Sequence, residues 1–306
     1  MIVYLLILLL QTVLLDAASI HTGFCVGAFW GTAQTPKTKA DFLRQFTLAK
    51  NLPNVPVSFN SVRLFTSQQH NTKGTPSEAF EAAIETNTTL LLGFWASAFE
   101  YEKVALGAAF AKHGKKLADL VVGISVGNED ILRNQPDCKQ APDNKPCVEG
   151  QSPENIKKMI RETEIWLKQD FSDLFEERLP VGHTDTAAFA ILDHVDYNGA
   201  TIYPYWHGDK VEDANQSFFQ TLDDLASRSG EIPVWITETG WPYAGPNSMA
   251  AIANSKNAQE YWKTVGCSIF GKYNTWWFQL ESDSTDGPDW GIIDAQTQKP
   301  RFDLSC

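Results

Sequence analysis

The chain has 306 residues, 43% of them hydrophobic, which is enough apolar material for one large core without a metal or disulfide staple. Its formal net charge is -12 and no run of Lys and Arg occurs, so the composition argues against a phosphate-binding surface and hence against a nucleic-acid partner. The 10 Trp and 18 Phe supply flat faces that suit a carbohydrate site or a core equally, so their number alone decides nothing.

Taken in chain order, residues 1–15 are almost wholly apolar and are followed by Asp16-Ala17-Ala18-Ser19. The run is short for a transmembrane helix, and the small residues after it suit cleavage near Ala18 or Ser19. A signal peptide is therefore expected over 1–18 and one folded unit over 19–306. The segment lacks a leading Lys or Arg, which leaves an uncleaved anchor or a buried N-terminal helix as the alternative. Strand candidates follow at 24–29, 61–65, 89–94, 120–126, 179–183, 199–203, 234–237 and 275–278. Helix candidates at 38–52, 77–85, 101–113, 152–169, 215–229 and 257–270 alternate with them. Ser152-Pro153-Glu154 opens one of these with an N-cap, a proline at the first helical position and an early acid.

This alternation, with no linker or break in composition, predicts an α/β fold, a single (β/α)8 TIM barrel. A doubly wound sheet is the competitor, but it would need a Gly-rich turn after the first strand, which is missing. Sequons at Asn87-Thr88-Thr89 and Asn215-Gln216-Ser217 make Asn87 and Asn215 candidate glycosylation sites. Cys138 and Cys147 bracket a Pro- and Asp-rich loop that is easily closed, and Cys267 on a late helix could bridge Cys306 and pin the C-terminus. Cys25 lies in an apolar stretch and reads as a buried free thiol. No Cys or His spacing matches a zinc site, so neither a metal nor a cofactor is expected.

In a barrel, the loops after the strands carry the chemistry. Arg63 lies in the second strand candidate, Asn128 and Glu129 follow the fourth, and His183 and Asp185 end the fifth. Tyr203, Tyr205 and Trp206 end the sixth, Glu238 and Trp241 the seventh, and Trp277, Gln279 and Glu281 the eighth. Two carboxylic acids on one rim are the minimum equipment for breaking a glycosidic bond. Each has a plain alternative taken alone: Asn-Glu after a strand is a common turn, and Thr-Glu-Thr-Gly-Trp-Pro could be only a strand end and a proline turn. Arg63 could be a purely structural ion-pair partner, His183 and Asp185 could pair with each other, and each tryptophan could be core.

Val126-Gly127-Asn128-Glu129 and Trp235-Ile236-Thr237-Glu238-Thr239-Gly240-Trp241-Pro242 resemble the acid/base and nucleophile signatures of glycoside hydrolase family 17. The texture is most similar to its fungal endo-β-1,3-glucosidase branch. Ser61-Val62-Arg63-Leu64-Phe65, Tyr203-Pro204-Tyr205 and Asn274-Thr275-Trp276-Trp277-Phe278 support the resemblance, which covers nearly the whole chain after residue 18. It implies Glu129 as proton donor and base, Glu238 as nucleophile, and a retaining double displacement on internal β-1,3-glucosidic bonds of a β-glucan. Arg63 and Tyr203 would hold Glu238 ionised, and Asn128 would hydrogen-bond the sugar 2-hydroxyl. Trp206 and Trp277 are the favoured sugar platforms, with Tyr205, Trp241 and Glu281 as further substrate-binding or supporting residues. After Glu281 this chain reads Ser282-Asp283-Ser284 where plant members carry Asp-Glu-Pro-Trp-Lys, so the plant contacts there do not transfer.

The expected product is a secreted, extracellular or wall-associated monomer with β-glucan as its partner and no stable membrane anchor. The alternatives are a β-1,3-glucanosyltransferase using the same two glutamates and, from another class, a non-catalytic glucan-binding wall protein.

Overall fold

The computed structural model describes residues 19–140, 145–147, 150–283 and 287–306. The expected signal peptide lies outside the described residues. Eight parallel strands close into a barrel in sequence order. They are β1 (Thr22–Val26), β2 (Ser61–Leu64), β3 (Thr89–Phe94), β4 (Val121–Asn128), β5 (Val181–Thr186), β6 (Asn198–Thr201), β7 (Val234–Thr239) and β8 (Thr275–Trp277). β8 pairs back onto β1 through Thr22 and Thr275, which leaves the barrel no open edge.

The main helices are α1 (Lys39–Lys50), α2 (Ala79–Thr86), α3 (Phe99–His113), α4 (Pro153–Asp170), α5 (Val211–Ser229) and α6 (Ser255–Tyr261). Their starts are legible: Thr38 and Asp41 form a reciprocal capping box on α1, and the Ser152 side chain accepts from Asn155 N–H at α4, with Pro153 in the first turn. The predicted last helix is in fact α6 followed by a π-helical stretch, Trp262–Gly266, and a short turn, Cys267–Ile269.

Strands covered on both faces read as continuous apolar runs, and alternate residues still part company. Leu90 and Leu92 pack outward under the helices, whereas Leu91 joins Cys25, Tyr197, Trp235 and Trp276 inside the barrel. Tyr197 and Trp235 stack there at 3.8 Å between ring centroids. The layer under α1 to α4 is built of Phe and aliphatic side chains, while that under α5 and α6 centres on Tyr261, Trp262, Phe270 and Trp277. Burying each such side chain contributes about 1.5–3 kcal/mol.

Three strands run further at the rim than the sequence reading, and β6 stops two residues short of it, at Thr201. β4 runs to Asn128, β5 continues to Thr186 and β7 to Thr239. The apolar pattern stops earlier because the final rim positions are polar, yet His183, Asp185, Thr237 and Glu238 are buried and find partners. Conversely, the predicted end of the first strand peels off: Phe29–Trp30 pairs antiparallel with Thr35–Pro36 outside the barrel.

Cys138–Cys147 and Cys267–Cys306 are disulfides, with Cα separations of 5.5 and 5.6 Å. Trp262 Nε1 also donates to Leu304 O at 3.0 Å, so the C-terminal segment is held by a covalent and a hydrogen bond. Cys25 is a buried free thiol. Asn87 is exposed at the left-handed C-cap of α2. Asn215 fits a glycosylation site poorly, because it sits inside α5 and its amide nitrogen donates to Thr264 O at 2.7 Å. No helix of the described residues is long and apolar enough to cross a membrane.

Candidate active site

β4 and β7 bring Glu129 and Glu238 to one cleft at the C-terminal rim of the barrel. The register of β7 shifts against both neighbours, between Ala200 and Thr201 on one side and between Ile236 and Thr239 on the other. Such irregularities re-aim side chains at barrel rims. β4 ends in a tighter device. Gly127 has φ +80°, and a Cβ there would lie 2.4 Å from Asp130 Oδ2, so only glycine fits. Glu129 itself is left-handed at φ +53°, a conformation costly for a residue with a Cβ and found at functional sites. Its N–H donates to Thr184 O at 2.8 Å across to β5.

The environments of the two carboxyls differ. Glu238 is 6% exposed and takes charge-assisted bonds on both oxygens: Arg63 Nη1 at 2.6 Å on Oε1 and the Tyr203 hydroxyl at 2.8 Å on Oε2. Burial, reinforced by the Glu238 charge, pushes the Tyr203 hydroxyl well above its ordinary value, so it remains a donor. Arg63 is fully buried, and its Nη2 donates to Asn128 Oδ1 at 2.6 Å. One guanidinium thereby ties β2, β4 and β7 together, and its face lies 4.6 Å from the Phe65 ring centroid. Below it, the Cys25 thiol donates to Thr237 O at 3.2 Å, and burial pushes that thiol up, away from thiolate.

Among the described residues no cation pairs with the Glu129 carboxylate oxygens; Oε1 accepts from Thr201 Oγ1 at 2.7 Å. Burial pushes its carboxyl up, the Glu238 charge adds to that, and the Thr201 bond offsets only part, leaving it at about 7. Pairs of carboxyls whose environments drive them apart in this way divide acid and base duties between them. Among the described residues no group of His, Cys, Asp and Glu is arranged to hold a metal ion.

The cleft has a volume of about 1130 Å³ around Glu129 and Glu238 and meets a second arm of about 720 Å³ toward Phe29 and Trp95. Trp206, Phe278 and Trp290 line both, so the arms form one groove. Trp206, 37% exposed, stands in this groove. Trp277 does not: it is 1% exposed and packs on Tyr261, Trp262 and Phe270, because its position on β8 faces the helices. Trp241 and Tyr205 are also buried. Trp241 Nε1 donates to Ile252 O at 3.0 Å, and the Tyr205 hydroxyl donates to Pro246 O, so both brace the long loop after β7. Glu281 is buried away from the groove and paired with Arg44 at 2.7 Å and Gln298 at 3.0 Å.

Sequence reasoning missed Thr201 and Trp290. Thr201 lies two residues before Tyr203, and the strand period would have put both on the inner face. Trp290 lies in an irregular loop and packs edge-on to Tyr203 and Tyr205 and at a tilt to Trp206. Nothing periodic marks it; the one signal is an aromatic among Pro288, Asp289 and Gly291 on a rim loop.

A closed (β/α)8 barrel with two unequally solvated glutamates on its catalytic rim, set in an aromatic-lined groove, defines a glycosidase. A family model described as the BtgE/BtgC glycoside hydrolase domain matches residues 23–290, and the chain belongs to that family. It is 38% identical over 97% of its length to a probable glucan endo-1,3-beta-glucosidase of Aspergillus fumigatus, of which the match covers 68%. An Emericella nidulans protein of the same printed name is 37% identical over 98% of the chain and 66% of its own length. The chain thus spans about two thirds of these relatives. Among solved structures, a glycoside hydrolase family 17 β-1,3-glucanosyltransferase from Rhizomucor miehei has the same fold, with a TM-score of 0.73, 19% identity and coverage of 93% and 98% of the two chains.

Proposed function

We propose that this glycosidase cleaves internal β-1,3-glucosidic bonds of β-glucan with retention, Glu238 attacking the anomeric carbon and Glu129 moving the proton. The observation that carries this reading is the division of labour between the two carboxyls. Glu238 is held by Arg63 and Tyr203 in the form that attacks, while Glu129 keeps a proton to near neutrality and faces the groove. In the first step Glu129 protonates the leaving oxygen as Glu238 forms the glycosyl-enzyme bond. In the second, Glu129 as carboxylate takes a proton from water as the water oxygen bonds to the anomeric carbon, and Glu238 leaves as carboxylate. Asn128, its Oδ1 bonded by Arg63 Nη2, would use its amide nitrogen on the 2-hydroxyl of the sugar bonded to Glu238. Trp206 offers a ring face along the groove. The names of the Aspergillus and Emericella relatives favour this substrate and this mode of cleavage. Passage to the cell exterior is part of the same proposal, supported by the two disulfides.

Transfer to a second glucan would use the same first step, and the Rhizomucor enzyme of the same fold carries that name. Sizing the products formed from reduced laminari-oligosaccharides decides between the outcomes. Hydrolysis gives only chains shorter than the donor, and the appearance of longer chains would assign transfer. Laminarin that is bound but releases no reducing ends would point instead to a non-catalytic binding protein.

A further inference from the structure

Behind Glu129 lies a buried charged cluster that the double displacement does not use. Asp185, at the rim end of β5, is 1% exposed and has no contact with the groove. Its Oδ2 accepts from Ile131 N at 2.9 Å and Leu132 N at 3.4 Å, capping the turn Asp130–Arg133 that begins directly after Glu129, and its Oδ1 accepts from Thr186 N at 2.8 Å. His183, also buried, sits between two acceptors, Val126 O at 2.6 Å from Nδ1 and Asp185 Oδ2 at 3.2 Å from Nε2. A neutral imidazole has one N–H and can serve one of them; only the imidazolium donates to both. Asp130 completes the cluster. Its Oδ2 accepts from Asn128 N at 2.7 Å, and its Oδ1 pairs with Arg133 at 3.0 Å.

Resting on the reading of Glu129 as the proton carrier, we propose that Asp185 is a positioning residue for Glu129, holding its left-handed turn in place with His183 as an imidazolium partner. The cap fixes the backbone from which the Glu129 side chain reaches the leaving oxygen, and misplacement of a reacting group by about 1 Å can cost on the order of 10²-fold. The ion pair also sets the local field. The charged and titratable groups facing Glu129 are Glu238 from β7, Asp185 from β5, Arg133 from its own turn and the Tyr203 hydroxyl from the end of β6. His183 faces Asp130 and Asp185.

The test is the pH profile of laminarin hydrolysis by Asp185→Asn and His183→Gln. Removing the carboxylate charge should move the basic limb of kcat/KM to lower pH. Removing the imidazolium charge should move it to higher pH. For Asp185→Asn, kcat on laminarin should fall about 10- to 100-fold with KM within about threefold. The loss in kcat/KM, which reports only the first step, should shrink on a dinitrophenyl β-laminarioligoside, whose leaving group needs no proton. Shifts in the same direction, or equal losses on both substrates, overturn the proposal. If Asp185→Asn does not fold, the direction of the His183→Gln shift decides alone. Glu129→Gln run beside them separates the two readings: equal losses of kcat/KM on both substrates in that variant would remove Glu129 as proton donor, and the proposal with it.

Discussion

Two pairs of acids stand on the same rim, and the chemistry proposed above is assigned to one of them. Glu129 and Glu238 line the groove, and among the described residues the only cation bonded to the pair's carboxylate oxygens is Arg63, on Glu238. Glu281 and Asp283, after β8, each carry a cation of their own: Arg44 on Glu281, and on Asp283 the fully buried Lys37, which also lies 4.0 Å over the Trp30 ring. Burial pushes the Glu281 carboxyl up, but the bonds from Arg44 and Gln298 outweigh it and hold it below the usual carboxylate range. At Glu129 burial and a like charge act together, and the proton stays on. Asp283 also accepts from Gly27 N at 2.7 Å, so it ties the loop after β8 to the loop after β1. Glu281 and Asp283 are thus fasteners by their ion pairs, although burial still raises the Asp283 carboxyl against Lys37, whereas the proposed roles of Glu129 and Glu238 rest on their facing the groove.

That contrast can be broken most forcefully at Glu238. Replacing it by Gln should lower laminarin turnover by about 10⁴-fold or more with the fold intact, measured as reducing-end release. Retained activity would remove the nucleophile from this site. Next in size is Glu129→Gln, expected to cost about 10²- to 10⁴-fold on laminarin. In the wild type the donor form exists below the Glu129 value of about 7 and is lost above it, so the basic limb of kcat/KM should fall through that pH. The limb should vanish from the residual activity of Glu129→Gln, and a limb that survives there belongs to another group.

Arg63→Met probes the cation that distinguishes Glu238. It leaves a nearly buried carboxylate unpaired, and chemical denaturation should show a loss of about 3–5 kcal/mol, mostly recovered when Glu238→Gln is added. Additive losses in the double variant would show that the pair is not coupled. The smallest effect belongs to Glu281→Gln. Arg44 is 40% exposed, so the pair is screened and worth less than about 1 kcal/mol, and kcat/KM on laminarin should stay within about twofold of wild type. A tenfold loss would return Glu281 to the groove.

Much of this site was legible because barrel periodicity and short motifs constrain each other. Once the strands were counted, Asn128-Glu129 and Glu238 had to share a rim, and Arg63 had to point inward from a strand with nowhere else to put its charge. The aromatics were harder. Trp206 and Trp277 look alike in sequence, each beside another aromatic at a strand end. One stands on the helical turn Pro204–His207 beyond β6 and is exposed; the other lies within β8 on the side that packs under α6. Glu281 misled for a related reason: its neutralising partner, Arg44, comes from α1, some 237 residues away in the chain.

The sequence by itself determined the barrel, its strand order, and which two glutamates stand at the ends of β4 and β7, because alternation and apolar runs are local properties. The tertiary structure alone decided what raises the Glu129 carboxyl, which tryptophan meets the groove, and that Thr201 and Trp290 belong to the site's surroundings. Those depend on charges and rings brought together from distant strands, and at such distances a few ångströms set the sign of the effect.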